Sequence, residues 1–197
     1  MTRKMVAIVG SYRKGGTVDC VVDAVLSGAR ELGVETSKIY LIDQHIEFCR
    51  NCRSCTQNKG MERQRCAIED DVAGILAEIE RADTVVLASP VNFYNVTAIF
   101  RAFLERLLGC VYWPWGQASP KPRSKQLPRK AVLIASSAAP GFLIPIATGA
   151  SRALRSAAQC LGARTVATLW VGLAAQSETP KISERVMEKA RRIGQAV

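Results

Sequence analysis

Four cysteines lie close together in this sequence, in a pattern that suits metal chemistry. They are spaced C-x2-C-x2-C with a fourth after ten further residues, and they are Cys49, Cys52, Cys55 and Cys66. Compact spacing of this kind lets three thiolates converge on one iron–sulfur cluster, and ferredoxins use the same local run. Structural zinc sites more often join two separated pairs of Cys or His ligands. The pattern favours a cluster, and ordinary thiols, zinc or a redox disulfide are the alternatives.

A second stretch, GSYRKGGT from Gly10 to Thr17, has the composition of a phosphate-binding loop. It joins an apolar run to a helical pattern, and a helix N-terminus offers free N–H groups and a positive dipole end to a phosphate. Hydroxyl donors, a guanidinium and permissive glycines can contribute, and these are Ser11, Arg13, Gly15, Gly16 and Thr17. The spacing matches neither GxGxxG nor GxxxxGK[ST]. The alternative is a glycine-rich turn with Thr17 as its N-cap.

Two further loops follow apolar runs and are predicted to face the same crevice. The first is SPVNFYNVTA, from Ser89 to Ala98, and the second is SSAAPG, from Ser136 to Gly141. A plain β-turn with core anchors is the alternative for the first of them. The second loop is a candidate because it follows the next predicted strand and so should lie at the same edge of the sheet.

Strand-like and helix-like segments alternate along the chain and would position these loops. The predicted strands are Met5–Val9, Thr36–Ile42, Thr84–Ala88, Ala131–Ala135 and Arg164–Val171. The predicted helices are Thr17–Leu32, one starting near Glu69, Val96–Leu108, Pro145–Leu161 and a last one opened by Thr179 and Pro180. This alternation predicts an α/β fold with a doubly wound parallel sheet of five strands, in the order 2-1-3-4-5, and helices on both faces. The crevice would then lie at the carboxyl ends of strands 1 and 3.

With these elements in place, the loops resemble those of the flavodoxin-like NAD(P)H-dependent FMN reductases. Gly10–Thr17 resembles the phosphate loop of that family, and Ser89–Ala98 resembles its SPVYF-x-N-V-(S/T)-A loop, with Asn92 and Tyr94 as departures. The resemblance implies that FMN binds here. It implies ring contacts from Pro90, Val91, Asn92, Phe93 and Asn95. We predict no catalytic acid or base, because the flavin carries the chemistry.

The wider segment from Leu41 to Ala98 resembles the iron–sulfur flavoprotein branch of the same family. Members of that branch have three cysteines at this spacing and a fourth a few residues on, whereas the last gap here is ten residues. The resemblance implies a [4Fe–4S] cluster on the four cysteines, and NAD(P)H or ferredoxin as electron donor. The alternative is a ferredoxin-linked electron carrier without pyridine-nucleotide activity. Such reductases are usually dimers or tetramers, so a homo-oligomer is expected.

Composition places limits on the class of protein. The chain has 197 residues, of which 48% are hydrophobic and 22% charged, and we expect a single flavodoxin-like FMN-binding domain over 1–197 with a Cys-rich insert at about 47–67. No apolar run reaches membrane-spanning length, and the start lacks the long apolar stretch of a secretory signal. We therefore expect a cytoplasmic protein with no membrane partner and with reduced cysteines.

Basic residues outnumber acidic ones by 27 to 17, giving a net charge of +10. Such a field attracts anions, including nucleotide cofactors and acidic redox partners. A nucleic-acid-binding module would rest on the charge alone, without a recognition motif, so no specific nucleic acid is expected. The aromatic stretch YWPWG, Tyr112 to Gly116, is predicted to cap the flavin, restrict the substrate or pack against another subunit.

Overall fold

The computed structural model describes residues 2–60, 62–123 and 126–197. Seven strands are found in these residues: β1 (Lys4–Val9), β2 (Glu35–Tyr40), β3 (Thr84–Pro90), β4 (Val111–Tyr112), β5 (Lys121–Pro122), β6 (Arg129–Ser136) and β7 (Ala163–Val171). The helices are α1 (Thr17–Arg30), α2 (Val72–Glu80), α3 (Ala98–Glu105), α4 (Ile144–Ala147), α5 (Ala150–Cys160) and α6 (Glu184–Ala196). Within the described ranges, no helix is both long and apolar enough to cross a membrane.

Five of the strands form one parallel sheet in the order β2-β1-β3-β6-β7. β6 and β7 are the fourth and fifth strands of this sheet along the chain. The sheet order is therefore 2-1-3-4-5, as predicted. β1, β3 and β6 are almost entirely buried because helices cover both faces of the sheet. The remaining two strands, β4 and β5, form a short antiparallel hairpin.

Two apolar layers hold the helices to the sheet. α1 and α6 pack on one face, where the valines of α1 meet those of β1 and β6. α2, α3 and α5 pack on the other, around Phe100 and Phe103 of α3, whose rings meet edge to face. Each helix returns the chain across the sheet, so the loops that follow the strands gather at one edge.

Two helix predictions are wrong in their boundaries. The segment predicted as one helix over Pro145–Leu161 is broken between α4 and α5, because Thr148 is extended and the N–H of Gly149 donates to the carbonyl of Tyr94 at 2.8 Å. The last helix begins at Glu184, well after Pro180. Residues 172–183 instead cross over the first loop, where Arg13 donates to the carbonyl of Glu178 at 2.6 Å. In both places a contact between loops overrides a local helix signal.

Helices α1 and α6 cross at a pair of glycines. A Cβ built on Gly28 would lie 2.0 Å from the carbonyl oxygen of Arg191, and one built on Gly194 would lie 1.9 Å from that of Val25. Only a residue without a side chain lets two helix backbones approach this closely. Gly74, in α2, has nothing within 4 Å of such a Cβ.

Gly28→Ala should therefore destabilise the fold, by about 1–3 kcal/mol for an overpacked contact. Gly74→Ala is the matched control, and it should be neutral or stabilising by up to about 1 kcal/mol, because alanine is the better helix former. Urea unfolding followed by circular dichroism measures both. Equal effects of the two substitutions would contradict the close crossing.

Candidate functional site

The loops after β1, β3 and β6 meet at the carboxyl edge of the sheet and enclose a cleft of about 430 Å³. This volume suits a small organic ligand. Among the residues predicted to bind a cofactor, those that line the cleft are Ser11, Arg13, Gly16, Thr17, Pro90, Val91 and Asn92. The end of β6 and the loop after it add Ser136, Ser137 and Ala138. The segment after β7 supplies a fourth wall, which no sequence motif indicated, with Ala174, Ala175, Ser177 and Glu178.

Three of the predicted residues do not line this cleft. Gly15 has a φ of +73° and its N–H donates to the carboxylate of Asp19 at 2.6 Å. Phe93 is 99% exposed. The side chain of Asn95 accepts a hydrogen bond from the N–H of Val96 at 2.9 Å. Gly15 and Asn95 therefore shape the loops, and Phe93 projects from one of them.

The loop after β3 ends in a tight two-residue turn. Asn92 and Asn95 exchange backbone hydrogen bonds of 2.8 and 3.0 Å. Phe93 and Tyr94 between them both have left-handed φ values, 48° and 64°. Positive φ at both central positions is the geometry of a type I′ turn, which Asn and Gly usually occupy. Two aromatic residues in this conformation are strained, which is typical of a loop whose shape serves a site.

The N-terminus of α1 opens into the cleft. Its N-cap is Gly16, and among the described side chains none caps the first turn. Thr17 is the first helical residue, so the alternative of Thr17 as an N-cap is wrong. Ser11 is buried and its Oγ accepts a hydrogen bond from the N–H of Arg13 at 3.1 Å. Because no described side chain caps them, the first-turn N–H groups can donate to an anion, and the helix dipole favours negative charge at this position.

A buried carboxylate holds this loop from below. Asp19 accepts from the N–H of Gly15 at 2.6 Å, from Nζ of Lys38 at 2.8 Å and from the hydroxyl of Tyr40 at 2.9 Å. Burial alone would raise the pKa of Asp19. These three hydrogen bonds lower it by more than burial raises it, so the pKa lies below its ordinary value of 3.8. The sequence offered only an acidic residue in a first helical turn as a signal for this role.

The cysteine loop, residues 44–71, is closed at its base by two aspartates. Asp71 accepts from the N–H of His45 at 2.7 Å, and Asp70 accepts from the N–H of Glu47 at 2.8 Å. The side chain of Arg106, from the turn after α3, forms a bidentate ion pair with Asp70, and both side chains are buried. These bonds join the two ends of the cysteine loop, which are 23 or more residues apart in sequence.

The four predicted ligand cysteines lie in one neighbourhood. Burial raises the pKa of the Cys55 thiol, and the charges of Cys66, Cys49 and Cys52 raise it further. Cys52 is exposed, and a hydrogen bond with Ser54 lowers its pKa. Throughout residues 2–60, 62–123 and 126–197, no three His, Cys, Asp or Glu side chains converge tightly enough for a single metal ion. The arrangement brings the thiols near each other without forming a zinc-like site.

The aromatic stretch packs against the cysteine loop of its own chain. The guanidinium carbon of Arg53 lies 4.0 Å from the ring centre of Trp113 and 4.2 Å from that of Trp115. Arg53 also donates to the carbonyl of Trp113 at 2.5 Å, and the N–H of Trp113 donates to the carbonyl of Thr56 at 2.9 Å. Arg53 has a left-handed φ of 59°. Stacking on two rings fixes the segment between Cys52 and Cys55.

Five basic residues follow the aromatic stretch, and these are Lys121, Arg123, Lys125, Arg129 and Lys130. Arg123, from this basic cluster, supports the same loop. It is buried and donates to the carbonyls of Gly109 at 2.9 Å, Asn58 at 2.7 Å and Cys55 at 3.1 Å. Arg129, from the same cluster, donates to the carbonyls of Ile79 and Glu80. These two arginines serve the fold and are not free surface charges. Lys125, another of these five basic residues, lies outside the described residues.

A larger cavity of about 800 Å³ lies elsewhere, beside the start of β6. Cys110 and Cys160 contribute to its wall, and burial raises the pKa of Cys110 to about 12. A thiol with so high a pKa is unreactive, and no phosphate-binding loop borders this cavity. The cleft at the carboxyl edge is therefore the candidate cofactor site.

Asp19→Asn should destabilise the protein, because the carboxylate holds Gly15 and Lys38. We expect a loss of roughly 1–3 kcal/mol at neutral pH. A depressed pKa stabilises the fold above the ordinary value of 3.8 and ceases to do so as the pH falls through the folded value. The difference between Asp19→Asn and wild type should therefore shrink below about pH 4, as measured by thermal unfolding across a pH series.

Asp23→Asn is the control for this comparison. Asp23 also pairs with Lys38, at 2.6 Å, but its side chain is 53% exposed. Its loss should be under about 1 kcal/mol, as for exposed ion pairs. Equal losses for the two variants would contradict a special role for Asp19 beneath the loop.

Comparison with known proteins agrees with this geometry. The family model described as NADPH-dependent FMN reductase matches residues 3–178. An iron–sulfur flavoprotein of Archaeoglobus fulgidus is 34% identical over 105 residues, which are 53% of this chain and 46% of that protein. The chain spans about half the length of the curated relatives that it matches.

Solved structures show the same fold. An NAD(P)H:quinone oxidoreductase from Methanothermobacter marburgensis superposes with a TM-score of 0.69 at 18% identity, covering 99% of this chain and 98% of the other. A flavodoxin from the domain Archaea superposes with a TM-score of 0.56 at 11% identity, covering 98% and 94%. These likenesses confirm the predicted flavodoxin-like fold, and the family match confirms the resemblance drawn from the loops. The chain belongs to the NADPH-dependent FMN reductase family, and over about half its length it is similar to iron–sulfur flavoproteins.

Proposed function

We propose that this protein is an FMN-binding oxidoreductase that takes electrons from NAD(P)H or a ferredoxin and passes them to an acceptor. The observation that carries the proposal is the uncapped N-terminus of α1, which opens into a cleft shared with the loops after β3 and β6. Its free N–H groups and dipole would hold the FMN phosphate. Thr17 and Ser11 would add hydroxyl groups at the same place.

The other walls of the cleft fit the flavin ring. Pro90, Val91 and Asn92 offer backbone groups and an apolar surface. The loop after β6 lies beside them, since the N–H of Val91 donates to the carbonyl of Ser136 at 2.7 Å. Arg13 holds the segment after β7 across the phosphate loop through the Glu178 carbonyl. Bound FMN would supply the hydride and electron chemistry, and the protein residues would bind, orient and partly cover it.

We propose further that Cys49, Cys52, Cys55 and Cys66 hold a [4Fe–4S] cluster. Four thiols in one neighbourhood are the ligand set that such clusters require. Among the described residues, Nε of Arg53 and Nε of Arg106 are buried without a hydrogen-bond partner. Arg53 lies between Cys52 and Cys55 in sequence, and Arg106 donates to the carbonyls of Glu47 and Ile68 at the two ends of the loop, so free donors on these side chains suit a loop that holds a cluster. Ordinary thiols in a substrate-facing or subunit-facing loop are the competing interpretation.

A ferredoxin-linked electron carrier is the second candidate, and the surface near the cluster ligands favours it. Cys52 is exposed, and the exposed cations Arg50, Lys59 and Arg65 belong to the same loop. A positive surface of this kind attracts an acidic redox partner. In this case NAD(P)H would be a poor donor.

The proposal includes a homo-oligomer, a dimer or tetramer, located in the cytoplasm. Large apolar side chains are exposed on the loops near the cleft, and these are Phe93, Tyr94, Phe142 and Ile146. The hydrogen bond between Gly149 and Tyr94 joins the two segments that carry them. Exposed apolar surface of this kind is usually covered by another molecule, here a second copy of the chain.

Anaerobic purification followed by an absorption spectrum and iron and acid-labile sulfide assays tests the cofactors. We expect flavin bands and about four irons per chain, as for one [4Fe–4S] cluster. Cys52→Ser should lose most of the iron. Cys20→Ser, which removes a free thiol on α1, should keep it. Flavin without iron in the wild type would remove the cluster and leave a plain flavin reductase.

The donor is tested by anaerobic reduction with NADPH, NADH and a reduced ferredoxin in parallel. Rapid bleaching of the flavin by NADPH or NADH supports the reductase. Bleaching by ferredoxin alone, with a rate that falls steeply as salt is added, supports the electron carrier, because a charged docking surface is screened by salt.

A further inference from the structure

The end of β1 and the beginning of α3 lie in direct contact next to the cleft. The N–H of Gly10 donates to the carbonyl of Ala88 at 2.8 Å, which continues the pairing of β1 and β3 by one residue. A Cβ built on Gly10 would lie 2.8 Å from the Cβ of Phe100, in the first turn of α3. Gly10 directly precedes Ser11, which lines the cleft. The loops after β1 and β3 therefore start from a closely packed junction.

Thr97 joins the two loops at this junction. It is fully buried, and its Oγ1 donates to the carbonyl of Gly10 at 2.6 Å. Its N–H donates to Oγ of Ser89 at 3.1 Å, and Ser89 donates in turn to the carbonyl of Pro90 at 2.9 Å. Gly10 opens the loop after β1, and Ser89 and Pro90 end β3. A single residue is thus bonded to the points where both loops leave the sheet.

The first turn of α3 is capped by Thr97 and by the loop after β1. The N–H of Phe100 donates to Oγ1 of Thr97 at 3.3 Å, and the N–H of Ile99 donates to the hydroxyl of Tyr12 at 3.2 Å. α1, in contrast, has no side-chain cap among the described residues. The uncapped end of α1 is available to a ligand, whereas the capped end of α3 holds the two loops together.

Thr97 is not one of the residues that line the cleft. Its hydroxyl donates its one proton to the Gly10 carbonyl and accepts from Phe100, so its hydrogen-bonding capacity is used within the protein. Without this hydroxyl, a buried carbonyl and a buried N–H would both lose a partner, and the two loops would relax apart. A ligand that spans two loops binds most tightly when their spacing is fixed before it arrives.

We propose that Thr97 is a positioning residue, whose hydroxyl sets the spacing between the loop after β1 and the loop after β3 for a ligand that both loops hold. This inference rests on the proposed flavin site, in which the first loop meets the phosphate and the second meets the ring. FMN spans the two loops, whereas inorganic phosphate needs only the N-terminus of α1. The Thr97 hydroxyl therefore contributes to FMN affinity and not to phosphate affinity.

The test compares Thr97→Val, Thr97→Ser and Thr56→Val in flavin-free protein. Valine keeps the shape of threonine and removes the hydroxyl, and serine keeps the hydroxyl. Thr56 is the matched control, because it is also fully buried and its Oγ1 donates to backbone carbonyls at 2.8 and 3.0 Å, but in the cysteine loop. FMN affinity is followed by fluorescence quenching, and the affinity for inorganic phosphate by its competition with FMN.

We expect Thr97→Val to weaken FMN binding by about tenfold or more, the effect of one lost buried hydrogen bond, and to leave phosphate affinity unchanged. Thr97→Ser should bind FMN within about threefold of the wild type, since its hydroxyl can make the same bonds. Thr56→Val should lower the unfolding temperature and bind FMN as the wild type does. Wild-type FMN affinity in Thr97→Val, an equal loss in Thr97→Ser or in Thr56→Val, or an equal loss of phosphate affinity would each overturn the role of Thr97.

A second measurement needs no variant. In flavin-free wild-type protein, nuclear magnetic resonance should show that the hydroxyl proton of Thr97 exchanges slowly with water, because its bond to Gly10 exists before any ligand binds. Rapid exchange of this proton would overturn the role of Thr97 alone. Failure of the wild type to bind FMN would instead overturn the proposed flavin site, and this inference with it.

Discussion

Every strand of the central sheet runs in the same direction, and this constraint decides where the candidate site lies. Parallel strands need long crossovers, so each strand ends at one edge and each helix returns the chain to the other. Of the four segments that border the cleft, three follow β1, β3 and β6, which are neighbours in the sheet, and the fourth follows β7. The phosphate-type loop and the loop after β3 are nearly 80 residues apart in sequence. They meet only because β1 and β3 pair along five registered positions.

The cysteine loop depends on a different principle, since the regular structure among its described residues amounts to one short 3-10 turn, Ser54–Thr56. Three arginines fix its conformation, one within the loop and two outside it. Arg106 closes its base, Arg53 is stacked between the tryptophans of the hairpin, and Arg123 binds the carbonyl of Cys55. Guanidinium groups suit this task because they present several donors in a rigid plane and stack on aromatic rings. The guanidinium groups of these three arginines are therefore bound within the protein and are not free surface charges.

The sequence predicted the fold well because its signals are repeated. Solidly apolar runs such as residues 84–88 must be buried on both faces, and the regular alternation of strands and helices leaves few topologies. The type I′ turn at Phe93 and Tyr94 could not be predicted, because aromatic residues are unusual in that conformation. The helix start at Pro180 was wrong because residues 172–183 cross the loop after β1, a contact that no local signal contains.

The candidate site was predictable in its loops but not in its supports. Ser11, Thr17 and Pro90 belong to short motifs with a local chemical meaning, and they line the cleft. Asp19 and Arg106 act through partners distant in sequence, Lys38 for the first and Asp70 for the second. Such roles become visible only when the chain is folded, because an isolated acidic or basic residue in a helix or turn is usually a solvated surface group.

The central claim is that the N-terminus of α1 binds the phosphate of a flavin nucleotide. Its most direct test is to titrate flavin-free protein with FMN and with riboflavin, which lacks the phosphate, and to follow the quenching of flavin fluorescence. The account predicts that FMN binds at least about 100-fold more tightly, the equivalent of two or more charge-assisted hydrogen bonds. Equal affinities for the two flavins, or no binding of FMN, would contradict it.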